Sequence, residues 1–153
     1  MHLEVHLGRV INPESAGKER PRLSKAIVLT IRELAKQPAP EPALSHARGT
    51  ASRDMAAFIA LALAQIAAGI DVSVAAWEKR GYWVKADRFR MDWLWAEQYA
   101  ARMRAAVLAD DWAAIAQVMA QTAQKLSKVE VSENHRLGTP WVGAYLALGE
   151  RNS

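Results

Sequence analysis

The stretch from Ser52 to Arg80 reads SRDMAAFIALALAQIAAGIDVSVAAWEKR and has the clearest helical pattern in the chain. One stripe of it follows alternating spacings of four and three, as on the core-facing side of a bundle helix. The members of this stripe are Ile59, Leu63, Ile66, Ile70, Ser73 and Trp77. The other faces are mostly alanine and valine, so the helix has to be covered nearly all round. Gly81 follows as its C-cap, with Lys79 and Arg80 favourably placed in the last turn.

Four further helices are predicted from the periodicity of apolar residues. They cover residues 21–37, 83–109, 112–127 and 140–148. The corners between the second, third and fourth helices are short, which makes these helices antiparallel neighbours. The sequence therefore predicts an all-α fold: an up-and-down antiparallel bundle of about four helices plus a short C-terminal helix.

Residues 1–20 are predicted as an irregular or extended N-terminal arm outside the bundle. Apolar and polar side chains alternate over residues 2–11, which is strand-like spacing, and the one other candidate strand is 128–131. A short helical turn then follows, which Gly17 and Pro21 are expected to interrupt. The first full helix is therefore predicted to begin at Pro21.

A proline-rich linker interrupts the predicted bundle domain, which spans residues 21–149. Pro38-Ala39-Pro40-Glu41-Pro42 is stiff and extended, and with the residues after it makes a linker over 38–50. This is the longest loop expected in the chain. It could carry the first helix across the bundle or onto a neighbouring molecule. The second helix is predicted to start beyond it, near Ser52 as N-cap.

Length and composition exclude several classes of protein. The chain has 153 residues, the size of one domain, and no cysteine, which excludes disulfides, thiol catalysis and thiolate metal sites. No secretory signal is recognised, and a cytoplasmic location is expected. The apolar run Met55–Ile70 is about two residues short of the roughly 18 that indicate a transmembrane helix, so we expect no membrane partner.

The formal net charge of +4 is concentrated in residues 79–90, which hold five basic side chains and one acidic one. Cations that follow phosphates and rings that stack on unpaired bases are features of nucleic-acid binding. The segment is therefore a candidate nucleic-acid contact. Its candidate residues are Lys79, Arg80, Tyr82, Trp83, Lys85, Arg88 and Arg90.

The structural alternative for this segment is a solvated helix corner. In that interpretation Lys79 and Arg80 contact the last helix carbonyls, and the aromatic rings pack inside. Arg88 would then pair with Asp92 one turn further on. The alternative is favoured because Phe89 falls on the predicted buried stripe, whereas Tyr82 and Trp83 lie closest to the corner and are expected to be the more exposed rings.

Six tryptophans is a high count for this length. Four of them fall on predicted buried stripes, namely Trp77, Trp93, Trp112 and Trp141. Trp95 faces elsewhere, and with Tyr99 and Arg102 it forms a second face of residue types enriched in interface hot spots. This face is a candidate protein interface, although a second packing layer inside the monomer explains it equally well.

No catalytic, metal or nucleotide motif is recognised. Ser15-Ala16-Gly17-Lys18 lacks the preceding glycine and the following Ser or Thr of a phosphate-binding loop, so a polar helical turn is expected there. The histidines are scattered over arms and loops and predict no metal site. They are His2, His6, His46 and His135. No catalytic residue and no cofactor are predicted.

An inter-helix pocket near Asp71, Ser73 and His135 is the basis of one further hypothesis, an enzyme or small-ligand carrier. A carboxylate buried in this apolar helix would need a cation, which an arginine of the next helix could supply. The arginines considered are Arg88, Arg90 and Arg102. Such pairs are mostly structural, so the chain is not expected to be an enzyme.

Three segments resemble those of an uncharacterised bacterial family of helical proteins. They are NPESAGKER (12–20), AWEKRGYWVKADRFRMDW (76–93) and RLGTPW (136–141). The resemblance spans most of the chain. That family has no assigned activity, so the resemblance implies no functional residues.

These observations favour a helical protein-protein interaction or assembly module that forms a homodimer. The second helix is apolar on too many sides for a small bundle to cover easily, and the third has a second aromatic face. The linker could also hand the first helix to a partner, and a symmetric dimer is the commonest oligomer. A nucleic-acid-associated protein that uses residues 79–90 is the first alternative, and the enzyme or ligand carrier is the second.

Overall fold

The computed structural model describes residues 12–38 and 45–150, and these contain five α-helices and no β-strand. The helices are α1 (Pro13–Ala35), α2 (Ser45–Lys79), α3 (Trp83–Leu108), α4 (Trp112–Lys125) and α5 (Ala144–Glu150). The prediction of an all-α bundle is confirmed. Residues 128–131 form a turn and an irregular segment, and the alternating segment 2–11 lies outside the described residues.

Helix α2 is the centre of the bundle and packs against α1, α3 and α5. From Met55 to Leu63 every residue is at most 4% exposed, whichever side of the helix it occupies. Alanine makes this possible, because its small side chain lets several neighbouring helices approach closely. The expectation that a small bundle does not easily cover this helix is therefore wrong over this stretch, since the chain's own helices cover it.

The part of α2 from Ala51 to Lys79 is also long and apolar enough to cross a membrane, with a mean hydropathy of 2.0 in its most apolar window. However, 72% of that window is buried inside the bundle. The core helix of a globular protein passes the same test, so this is weak evidence for a span. The expectation that the chain has no membrane partner stays a prediction.

Helix α1 begins at Pro13 and runs unbroken through Gly17 and Pro21. The predicted interruption, and with it the predicted start at Pro21, is wrong. Asn12 caps the helix by accepting a hydrogen bond of 2.8 Å from the backbone N–H of Ser15. Residues 12–20 thus belong to the bundle, and only residues 1–11 of the predicted arm lie outside the described part of the chain.

Packing explains why α1 continues through its internal proline. A proline removes one helix hydrogen bond and crowds the preceding turn, which costs about 3 kcal/mol. Pro21 lies on the exposed side of α1, where water can reach the carbonyl left without a partner. Ala16 and Leu23, on either side of it, are only 2% and 1% exposed. Burial on both sides therefore outweighs the local preference for a break.

Helix α2 begins at Ser45, before the predicted N-cap Ser52, so the second part of the predicted linker 38–50 is helical. Ser52 lies inside the helix and is 3% exposed. The last proline of the linker is Pro42, and no proline between it and Ser52 prevents an earlier start. Residues 39–44 lie outside the described residues.

The corner between α2 and α3 is closed by Gly81, as predicted. Gly81 has a φ of 82°, in the left-handed region that favours glycine. Its N–H donates to the carbonyl of Glu78 and the N–H of Tyr82 donates to that of Trp77, both at 3.0 Å. These two bonds are those of the Schellman motif. They place Tyr82 and Trp83 at the tip of the bundle.

Helices α3 and α4 follow their predicted bounds closely, and the predicted aspartate corner between them is confirmed. Asp111 caps α4 by accepting a hydrogen bond of 3.1 Å from the N–H of Ala114. Asp110 has a φ of 54°. Its carboxylate binds Arg53 of α2 at 3.2 Å and accepts the indole N–H of Trp112 at 3.0 Å. The corner is thus tied to the start of the central helix.

Helix α5 begins at Ala144 and is shifted toward the C-terminus from its predicted bounds, 140–148. Its first turn is capped from a distant part of the chain. The carboxylate of Asp54 in α2 accepts hydrogen bonds from the N–H groups of Gly143, at 3.2 Å, and Tyr145, at 2.9 Å. The predicted start relied on neighbouring residues alone, whereas this cap depends on the fold.

Asp54→Ala is expected to lower the free energy of unfolding by about 1–2 kcal/mol, because it leaves two N–H groups of the α5 turn without their acceptor. Urea denaturation followed by circular dichroism measures the change. Asp71→Ala is the matched control, since Asp71 lies on the same helix, is exposed and has no partner among the described residues. If Asp54→Ala and Asp71→Ala lower the free energy of unfolding equally, the loss comes from removing a negative charge from α2 and not from removing the cap of α5.

Candidate functional site

Large apolar side chains are exposed along one side of α3. Val84 is 73% exposed, Met91 74% and Leu94 47%. Helix periodicity puts them on the side away from the buried stripe, and no other described element covers them. With two neighbours they define the outer face of α3, which consists of Val84, Arg88, Met91, Leu94 and Trp95. Exposed apolar strips of this kind mark interaction surfaces.

The charged side chains beside this face are paired differently from the prediction. Arg88 and Asp92 have no hydrogen bond or ion pair within the described residues, so their predicted pairing is wrong. An arginine that precedes its acid by one turn is the less favourable order on a helix. Arg90 instead binds Glu78 at 3.1 Å and Asp87 at 2.6 Å. These bonds raise the pKa of Arg90 above its ordinary value, and the bond to Glu78 has the largest effect.

The opposite side of α3 carries aromatic rings that are covered by cations. Trp77 and Phe89 meet edge to face, with ring centroids 4.8 Å apart, and the ammonium of Lys85 lies 4.6 Å from the Trp77 centroid. The guanidinium of Arg20 in α1 lies 4.9 Å from the ring of Phe89 and 5.7 Å from that of Trp93. Burial lowers the pKa of Arg20. Phe89 is therefore packed inside, as expected, where it joins three helices.

Trp95, Tyr99 and Arg102, the predicted protein interface, are in contact with one another. The rings of Trp95 and Tyr99 are 5.4 Å apart, and the guanidinium of Arg102 lies 5.4 Å from the Tyr99 ring. Trp95 also stacks on Trp93 at 5.6 Å. Both predicted rings are half-buried against the core, so part of this face is a second packing layer inside the monomer. Its role in binding a partner stays a prediction.

The corner between α2 and α3 exposes two rings and two cations. Tyr82 is 55% and Trp83 59% exposed, which confirms that they are the more exposed rings. Lys79 and Arg80 are exposed, and their side chains make no hydrogen bond, ion pair or ring contact within the described ranges, so their expected bond to helix carbonyls is wrong. The carbonyls of Trp77 and Glu78 instead accept hydrogen bonds from the backbone N–H groups of Tyr82 and Gly81. We call Lys79, Arg80, Tyr82, Trp83 and Lys85 the basic-aromatic corner.

The residues of the predicted inter-helix pocket are not brought together around one cavity. Asp71 is exposed, so the expectation of a buried carboxylate is wrong. It lines a cavity of ≈ 20 Å³, which Ser73 and His135 do not line. A space of this size holds about one water molecule. His135 accepts a hydrogen bond of 3.3 Å at Nδ1 from the backbone N–H of Leu137.

Neither a metal ligand set nor a phosphate loop is found in the part of the chain that the structure describes. It contains no group of three or more His, Asp or Glu side chains that could hold a metal ion. Residues 15–18 lie in the first turns of α1, which confirms the predicted polar helical turn. The side chains of His2, His6 and His46 lie outside the described residues. The absence of a cofactor stays a prediction.

Two side chains that sequence reasoning missed connect distant parts of the bundle. Arg20 was assigned to the arm but covers rings of α3, and Asp54 caps α5. Asp54 gives no signal in the sequence, because its partners are far along the chain. Arg20 does give a signal in the sequence. It belongs to a set of four residues at spacings of four, three and four, and this set continues through the predicted interruption of the helix. These residues are Ala16, Arg20, Leu23 and Ile27.

Comparisons of the chain with protein families, curated proteins and solved structures found no match. The resemblance of segments 12–20, 76–93 and 136–141 to a bacterial family therefore stays a prediction. Function has to be inferred from the surface of the molecule. Among the described residues, the outer face of α3 and the basic-aromatic corner expose large apolar or aromatic side chains beside cations, and Val142 and Leu146 are further exposed apolar side chains near α5.

Proposed function

We propose that this chain is a cytoplasmic helical interaction module that works as a homodimer, with the outer face of α3 as the contact between two copies. The observation that carries the proposal is the exposure of aliphatic side chains along this face, 73% for Val84 and 74% for Met91. Leaving such side chains in water is unfavourable, and burying them against an identical strip removes that cost.

A two-fold axis near Met91 accounts for the charged residues of this face as well as the apolar ones. Two α3 helices that pack antiparallel about this axis place Met91 against its own copy. Arg88 of the other copy then lies on the flank of the contact that also carries Trp95 and Asp92 of the first. The guanidinium of that Arg88 comes within about one helical turn of Asp92 in the first copy.

This charge complementarity is the reason for naming a second copy as the occupant. Arg88 and Asp92 lack partners within the described monomer, and the symmetry supplies each with one, twice in the dimer. Opposite charges placed reciprocally favour one register and one orientation of the two helices. Spacings of four, three and four between Val84, Arg88, Met91 and Trp95 are those of helices that pack side by side.

The predicted interface residues extend the same contact toward the C-terminal half of α3. The rings of Trp95 and Tyr99 are held by each other and by Trp93, so little side-chain freedom is lost when a partner packs on them. Arg102 is exposed beside them and belongs to the rim. A further protein partner would bind the dimer at this same edge of α3.

Met91→Asp is expected to weaken dimerisation about 30-fold or more, because the dimer would bury two facing carboxylates at its centre. Sedimentation velocity of the full chain, from about 1 to about 100 µM, measures the dissociation constant. Leu146→Asp is the control, since Leu146 is 70% exposed on α5, outside the proposed contact. We expect that variant to dimerise like the unaltered chain.

A charge exchange tests the register of the two helices. Arg88→Asp and Asp92→Arg are each expected to weaken the dimer about fivefold to tenfold, and the double variant is expected to recover most of that loss. A chain that stays monomeric at every concentration would refute the homodimer. A dimer that tolerates Met91→Asp would place its contact somewhere other than the outer face of α3.

A further inference from the structure

We infer that the basic-aromatic corner is a binding site for single-stranded nucleic acid, which adjoins the proposed contact between copies. The net charge of the chain lies in residues 79–90, and the remaining residues are neutral overall. Not all of these cations are equally available. Arg90 is bound to two carboxylates, and Lys85 lies over the Trp77 ring. Lys79, Arg80 and Arg88 have no side-chain partner within the described residues, and Lys79 and Arg80 are next to the exposed rings along the chain.

The shape of the corner suits an unpaired base. An open depression of ≈ 550 Å³ is lined by Tyr82, Trp83, Val84, Lys85 and Arg88, beside Gly81. A base can stack on an exposed aromatic ring whatever its sequence, because every base has a π-face. Lys79 and Arg80, at the end of α2, then lie where the neighbouring phosphates of the strand would run.

The start of α3 adds partial positive charge at the same place. The helix begins at Trp83, and Tyr82 supplies no side-chain hydrogen bond to its first turn. The first N–H groups of a helix have no partner within the helix, and they attract anions. The corner thus combines uncapped N–H groups, two unpaired cations and two exposed rings. Together these features point to one anionic, aromatic ligand.

These features favour a single strand over a duplex or a lipid surface. A duplex hides the faces of its bases, so exposed rings gain nothing from it except at its ends. A bilayer surface is flat, whereas Trp83 and Lys85 border a depression. Val84 and Arg88 border both the depression and the outer face of α3, and for this reason the test below leaves them unchanged.

Fluorescence anisotropy of a labelled single-stranded oligonucleotide of about 12 nucleotides tests the site on the full chain. With about three phosphates neutralised, the affinity is expected to fall about 15-fold between about 50 and 200 mM salt. Trp83→Ala is expected to bind about tenfold more weakly with the same salt dependence, because it removes stacking and no charge. Lys79→Glu combined with Arg80→Glu is expected to abolish binding at the higher salt concentration.

The matched control is Arg22→Glu combined with Lys25→Glu, which changes the net charge equally at exposed cations of α1. It is expected to bind like the unaltered chain. Circular dichroism and sedimentation confirm that no variant has lost its fold or its association. The inference is overturned if the oligonucleotide does not bind at low salt, if Trp83→Ala has no effect, or if the control loses as much affinity as the corner variant. Binding to vesicles of phosphatidylglycerol but not to the oligonucleotide would also overturn it.

Discussion

Phe58→Ala is expected to lower the free energy of unfolding by about 3–5 kcal/mol, the largest effect that we expect from a single substitution in this chain. Phe58 is 0% exposed, in the stretch of α2 that is buried on every side. Ala57 and Ala62, close to it on the same helix, have no side-chain rotamers with which to fill the space left by the ring. Little of the resulting cavity can therefore collapse, so we expect the loss to lie within the usual range for a buried Phe→Ala change and not below it.

Chemical denaturation followed by circular dichroism measures this loss. Leu146→Ala is the control, because Leu146 is 70% exposed, and a change within about 0.5 kcal/mol is expected there. If Phe58→Ala does not fold at all, Ile59→Val gives a smaller test at a residue that is also 0% exposed, with an expected loss of about 0.5–1.5 kcal/mol. A loss at Phe58 no larger than that at Leu146 would contradict the central position of α2.

Leu148→Ala is expected to cost about 2–5 kcal/mol and to release α5 from the bundle. Helix α5 has seven residues, which is too short for a helix to be stable in isolation. It is held by Leu148 and Ala144, which are 2% and 4% exposed, and by the Asp54 cap. Loss of the leucine contact removes most of the apolar area that fixes it to α2.

Hydrogen exchange of the α5 amides, measured beside global denaturation, separates local release from general destabilisation. In Leu148→Ala the amides of α5 are expected to lose protection before those of α2. Leu146→Ala, two positions away on the exposed side of the same helix, is expected to leave the protection unchanged. Protection of α5 that survives Leu148→Ala would show that the Asp54 cap is sufficient to hold the helix.

The features of the fold that were predicted correctly depend on residues close together in the chain. The core-facing stripe of α2 follows from helical spacing alone. Gly81 ends that helix because a residue without a Cβ adopts a positive φ at little cost, which requires no information about the rest of the fold. Asp111 caps α4 through the N–H of Ala114, only one turn away.

The starts of α1 and α2 were predicted incorrectly because local signals compete with packing. Pro21 is a strong local reason to interrupt α1, yet burial of Ala16 and Leu23 outweighs it. Ser52 is a good N-cap residue, but α2 begins earlier, at Ser45. In both cases the local signal is worth a few kcal/mol at most, whereas the apolar contacts along a long helix add up to more.

The outer face of α3 could not be identified from the sequence. Spacings of four and three select a stripe of a helix, and α3 has two such stripes. Phe89 and Trp93 belong to one, and Val84 and Met91 to the other. Which stripe faces the core is decided by where α1 and α2 lie. The predicted interface residues Trp95, Tyr99 and Arg102 lie beside the exposed strip. Because the rings of Trp95 and Tyr99 are half-buried, these residues form the edge of that strip.

By itself the sequence determined the all-α class, the identity of the central helix, the glycine corner and the concentration of net charge in residues 79–90. These depend on composition and on interactions within about one helical turn. Only the tertiary structure decided that α1 runs through Pro21, that Asp54 caps α5 and that aliphatic side chains of α3 face solvent. Each of these depends on a contact, or the lack of one, between residues far apart in the chain, and helical spacing within one segment does not show which of those contacts is made.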